Sequence, residues 1–77
     1  MMIAPVLFRK ENESASLQEC YRIRRELMED LIAYEDMDPE ERKGNTLPSP
    51  ETIYHMNNLY LKEICELIEE KQNEDTD

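Results

Sequence analysis

A single glycine in 77 residues leaves no glycine-rich loop to cradle a phosphate, and the chain has few β-branched runs from which to build a sheet. Two cysteines and one histidine give little scope for a disulfide framework and lack the paired spacing of a zinc site. Bases are scarce too: nine against nineteen acids, a formal net charge of −10. Nucleic-acid binding relies on Lys and Arg displacing counterions, and an anionic bilayer attracts the same residues. Direct contact with DNA, RNA or a membrane surface is therefore not expected. No stretch approaches the roughly 20 apolar residues needed to span a bilayer. The opening "MMIAPVLFRK" puts its positive charges after its apolar run and interrupts that run with a proline, unlike a secretory leader, so a cytoplasmic setting is expected. The triplet "NES" at 12–14 matches a glycosylation sequon, which has meaning only in a secreted chain.

What the chain has in quantity is Glu, Leu, Ile, Met and Arg, all compatible with helix. The expected class is all-α, a single small domain over 1–77, in a size range where one core is marginal without oligomerisation or very regular packing. Charge is unevenly spread. Residues 1–25 hold five bases and three acids, whereas residues 26–77 hold four bases and sixteen acids.

Along the chain, 1–13 reads as an extended arm, because Pro5 disfavours helix at Ala4 and Val6, Leu7 and Phe8 are bulky and apolar. The arm either folds back over helix ends or offers Val6, Leu7 and Phe8 to a partner. A helix is expected over 14–37, opened by "SLQE" at 16–19, a capping box in which Ser16 accepts from the Glu19 amide and the Glu19 carboxylate reaches back. At roughly 100° per residue, Leu17, Cys20, Tyr21, Leu27, Met28, Leu31 and Tyr34 share one side, with Ile23 and Ile32 at its margins. Arg22–Glu26 and Arg25–Glu29 are spaced for i,i+4 ion pairs. A connector over 38–49 follows, with room for one helical turn in "PEER" and a turn at Gly44-Asn45. A second helix is expected over 50–72, with Ser49 as N-cap and Pro50 at its first position. An acidic tail occupies 73–77.

The second helix carries two apolar stripes, Ile53–Met56–Tyr60–Ile64–Leu67 and Tyr54–Leu61–Cys65–Ile68, a quarter turn apart. Two such helices with a short connector pack as an antiparallel hairpin. Tyr34 then lies near Tyr54, Leu31 near Asn57, Leu27 near Tyr60 or Leu61, and Cys20 near Cys65. A hairpin covers one stripe per helix, and each large side chain left wet forgoes about 1.5–3 kcal/mol. The surplus calls for the arm, a helix from another protein, or a second copy that completes a four-helix bundle. The candidate partner-binding residues are Val6, Leu7, Phe8, Tyr54, Leu61, Cys65 and Ile68. Two polar residues point inward. Arg24 either pairs with Glu63 or Glu35 or snorkels at the stripe edge, and Asn57 resembles the polar residues that fix register in bundles.

Nothing in the pattern signals catalysis. His55 lies opposite the main stripe, and a hairpin offers little concavity. Cys20 and Cys65 read as free thiols, with a disulfide as the alternative in an oxidising compartment. The run "EDMDPEE" places five acids in seven residues, Glu35, Asp36, Asp38, Glu40 and Glu41. It fails as a calcium loop, because Glu41 and Leu47 fall where glycine and the closing glutamate are required. It is either a solvated loop or a patch that docks a basic protein surface. No metal or cofactor is expected. The expected function is a non-enzymatic protein–protein interaction module, an adaptor, chaperone-like or regulatory subunit. The alternatives are an acidic nucleic-acid mimic that blocks a DNA- or RNA-binding protein, of phage or mobile-element type, and a purely structural subunit.

Overall fold

The computed structural model describes residues 3–44 and 48–74 and contains four helices: α1 (Pro5–Asn12), α2 (Leu17–Glu35), α3 (Pro39–Lys43) and α4 (Pro50–Glu74). The fold is all-α. Asn45, half of the expected turn, and residues 75–77 of the expected tail lie outside the described residues.

Local chemistry explains each helix end. Ser16 caps α2 by accepting from the Glu19 amide at 3.1 Å. The other half of the capping box does not form: the Glu19 carboxylate instead takes Arg22, 2.8 Å away. At the far end of α2, Arg42 reaches back from α3 and donates to the carbonyls of Tyr34 and Glu35 at 3.3 and 2.7 Å. Those are among the acceptors a helix leaves without partners. Gly44 ends α3 at φ +56°, and a Cβ there would sit 2.6 Å from Pro50 Cδ. Glycine is thus required for the chain to turn against the start of α4. Ser49 accepts from the Thr52 amide at 3.3 Å, and Pro50 opens α4.

Contacts at both ends fix α2 and α4 as antiparallel. Tyr34, at the end of α2, stacks on Tyr54 near the start of α4, ring centroids 4.2 Å apart. Tyr21, near the start of α2, accepts from Gln72 near the end of α4. Cys20, Leu27 and Leu31 of α2 are buried, as are Asn57, Tyr60, Ile64, Leu67 and Ile68 of α4.

The extended arm is the main correction. Ala4 is extended, as the residue before proline should be, but a helix starts at once with Pro5 at its first position, where proline's fixed φ favours helix. Eight residues are too few to hold a helix alone in water, so α1 depends on docking. Phe8 lies against Tyr60 with ring centroids 4.6 Å apart, and the Tyr60 hydroxyl donates to the Ile3 carbonyl. Arg9 reaches Glu63, Glu66 and Glu70 of α4 at 3.2, 2.6 and 2.5 Å. Lys71 donates to the carbonyl of Glu13 at 2.7 Å, tying down the C-terminal end of α1. The two stripes of α4 thus have two covers within the chain, α2 and α1.

Because Phe8 is half-buried and anchors α1, Phe8→Ala should lower unfolding stability by about 1–3 kcal/mol, somewhat less than the loss of a fully buried phenylalanine. Chemical denaturation measures this. Hydrogen exchange should quicken first at residues 6–12, and unchanged protection there would mean that α1 is held by something else.

Candidate functional site

With α4 covered on two sides, most of its two stripes is closed, though Ile53 and Cys65 stay exposed. Ile68 is 4% exposed and belongs to the core, which removes it from the candidate partner-binding set. Leu61 packs partly buried against the same core. Tyr54 is half-buried in its stack on Tyr34 and donates through its hydroxyl to Glu35 at 3.2 Å. Phe8 is turned inward onto Tyr60. Of the expected set, Val6, Leu7 and Cys65 face solvent. Cys65 is exposed while Cys20 is fully buried, so the two do not meet across the seam, and both are free thiols.

The inward-pointing residues divide. Asn57 is buried at 8% exposure. Arg24 is not a buried ion pair: it is half-buried, lies over the Tyr21 ring at 5.0 Å, and has no carboxylate partner among the described residues. Glu63, its expected partner, is held by Arg9 from the other side of α4. In the acidic run, Glu35, Asp36, Asp38, Glu40 and Glu41 are all exposed. Glu35 is engaged by Tyr54, and Arg42 folds back over the Tyr34 ring at 5.2 Å.

Two surface features remain. The first runs along the outer side of α2, between Gln18, Tyr21, Arg22, Arg24, Arg25, Met28, Glu29 and Ile32. Every wall residue belongs to one helix, so it is an open furrow and not an enclosed pocket. Met28 is 46% and Ile32 55% exposed. On the helical wheel, Tyr21, Met28 and Ile32 lie roughly 100° around from the buried Cys20, Leu27 and Leu31. They form an apolar stripe, half-buried at Tyr21 and open at Met28 and Ile32. The second feature is a cleft of about 340 Å³ at the hairpin end, lined by Asp30, Ala33, Tyr34, Met37, Pro50, Ile53, Tyr54 and Asn57. Among the described residues its only carboxylate is Asp30, and no histidine, cysteine or lysine joins it to make an acid–base or nucleophile pair. His55 is exposed. Among the described residues, no three His, Cys, Asp or Glu side chains are placed to hold a metal ion, and no helix is long and apolar enough to cross a membrane.

Electrostatics along the furrow are asymmetric. Arg22 bonds Glu19 and Glu26, each at 2.8 Å. Arg25 and Glu29, at the same i,i+4 spacing, form no such pair. The sequence alone could have pointed to α1. Glu63, Glu66 and Glu70 make a like-charged ridge at helical spacing, which needs a counter-charge, and the nearest surplus of bases is at the other end of the chain. Comparison with protein-family models, curated proteins and solved structures finds no match for this chain.

Arg22 holds the Glu19 carboxyl below its ordinary range, first by hydrogen bonding and then by charge, against an opposing effect of desolvation. A depressed folded-state value means that this contribution is present above the pKa of an unfolded glutamate and fades as pH falls through the folded value. Both groups are exposed, so the effect on stability is small and screened by salt. In a carboxyl-detected NMR titration, Glu19 should titrate below ordinary glutamates, and Arg22→Ala should move it back up. A midpoint indifferent to that change would remove Arg22 as the cause.

Proposed function

We propose that this chain is a non-enzymatic protein–protein association module that works through the outer face of α2. The observation that carries the reading is the stripe of Tyr21, Met28 and Ile32, open at Met28 and Ile32 although α4 has recruited both α1 and α2 to cover most of its own apolar surface. Exposed apolar side chains scattered singly need no explanation, but Met28 and Ile32 stand one turn apart on a face that Tyr21 extends and Arg24 and Arg25 flank, a form suited to a helix-in-groove or helix-on-helix contact. The core adds weight: among the described residues seven hydrophobic side chains are buried, and only Ile64 and Cys20 completely. So small a core leaves stability to be gained from association. A cytoplasmic setting fits two free thiols.

Part of the acidic surface plays a different role from the one a nucleic-acid mimic requires, although the acids of the 35–41 run stay exposed. A mimic displays ordered carboxylates outward, whereas Glu63, Glu66 and Glu70 are drawn onto Arg9 within the chain.

Met28→Asp/Ile32→Asp tests the reading, since both side chains are exposed and helical structure should survive by circular dichroism. Wild-type protein should sediment above 9.2 kDa, alone or with a protein recovered from native extract. The double variant should lose that association by at least about tenfold, the scale of removing two apolar contacts. Association that ignores the double variant but collapses with added salt would overturn the reading and point to the mimic. A monomer under both conditions would also overturn it.

A further inference from the structure

We infer that the occupant of the α2 furrow is a second copy of this chain, packed antiparallel about a twofold axis, with Arg25 of each copy bridging to the partner's Glu29. This inference rests on the association reading above and names the partner.

Tyr21, Arg25, Met28 and Ile32 follow one another at intervals of four, three and four residues, a sequence of steps that reads the same from either end. Antiparallel pairing of α2 with its own copy therefore sets Tyr21 against the partner's Ile32 and Arg25 beside the partner's Met28, and the two-fold operation repeats both contacts. An isologous interface needs this self-complementarity, which the spacing of the stripe permits.

Charge narrows the choice of partner. Arg22 is satisfied within its own helix by Glu19 and Glu26, and Arg24 is laid back on the Tyr21 ring. Arg25 and Glu29 are opposite charges without an ion pair on one flank of the furrow, among the described residues, while Arg24, also without one, is held on the other flank by the Tyr21 ring. In the register set by the apolar contacts, Arg25 comes within one residue of the partner's Glu29, on the flank that two antiparallel helices share. Two reciprocal bridges then border an apolar strip of Tyr21, Met28 and Ile32. A partner of uniformly acidic character would satisfy Arg25 but leave Glu29 against like charge, whereas the same chain reversed answers both.

Charge exchange tests the inference. Arg25→Glu sets a carboxylate against the partner's Glu29 twice over, and Glu29→Arg sets a guanidinium against the partner's Arg25 twice over. Each single variant should dimerise at least about tenfold more weakly than wild type by sedimentation equilibrium, the scale of unfavourable charge pairs at an interface. Mixing the two single variants should restore a heterodimer, in which each pairing of unlike side chains relieves the repulsion both homodimers suffer. Arg25→Glu/Glu29→Arg in one chain should restore the homodimer, because both bridges re-form with their signs exchanged. Circular dichroism separates lost association from lost folding, and the rescue cannot arise from unfolded chains. Two weakened single variants with both rescues support the inference. Failure of either rescue, or single variants that dimerise like wild type, overturns it. A wild-type monomer at concentrations up to about 1 mM, where contacts worth some 4 kcal/mol would show, also overturns it. In that case the association reading stands if another protein still binds through Met28 and Ile32, and falls with it if none does.

Discussion

The fold depends on one constraint: α4 carries two apolar stripes and must find two covers. α2 supplies one, across a seam that runs from the Tyr34–Tyr54 stack to the contact between Tyr21 and Gln72. α1 supplies the other, although it is only eight residues long and contains no buried residue of its own. What secures so short a helix is the combination of Phe8 on Tyr60 with Arg9 among three carboxylates. The apolar contact supplies most of the free energy, while the guanidinium fixes where the helix sits and relieves repulsion between glutamates on successive turns of α4. Charge-assisted contacts of this kind are worth more for orientation than for net stability when they are partly exposed.

Closing α4 in this way leaves apolar surface on α2, at Met28 and Ile32, and on α1, at Val6 and Leu7. Helix α2 has one long neighbour, and its apolar arc is wider than α4 can hide. The molecule is elongated, 50 × 22 × 14 Å, so much of each helix faces outward. The exposed stripe is therefore a consequence of where the chain docks its first helix. Had α1 docked on α2 instead, the free face would belong to α4, and Glu63, Glu66 and Glu70 would be left without Arg9. Electrostatics thus favours α4 over α2 as the seat of α1.

Much of this is legible in the sequence, and the failures have particular causes. The all-α class, the Ser16 and Ser49 caps, the helical turn after Asp38 and the proximity of Tyr34 to Tyr54 all follow from propensity, capping and hairpin geometry, which are local or nearly so. The expected arm fails because the effect of Pro5 on Ala4 does not extend past the proline: it disfavours helix only at the preceding residue and favours a helix start at its own position. Ile68 and Leu61 read as surface residues only when the hairpin is counted as the sole internal cover. Arg24 matches Glu63 by level along the bundle, but Arg9 competes for the same carboxylate. That competition spans 54 residues of sequence, and periodicity within one helix carries no information about it. The difference between a basic first third and an acidic remainder does carry some.

The same asymmetry bears on what the acidic surface is for. Part of the negative charge is engaged inside the chain: Glu63, Glu66 and Glu70 by Arg9, Glu19 and Glu26 by Arg22, and Glu35 by Tyr54. The remainder, spread over all four helices and the segments beside them, gives a net charge that favours solubility and discourages indiscriminate collapse through the exposed stripe. An apolar strip on a strongly charged molecule is protected from most encounters by long-range repulsion, and it accepts a partner only where local contacts outweigh that repulsion. Selectivity of this sort comes from the background as much as from the strip. Along the furrow of α2 the arginines Arg22, Arg24 and Arg25 outnumber the one lining carboxylate, Glu29, so an acidic surface is opposed less there than the net charge of the chain implies.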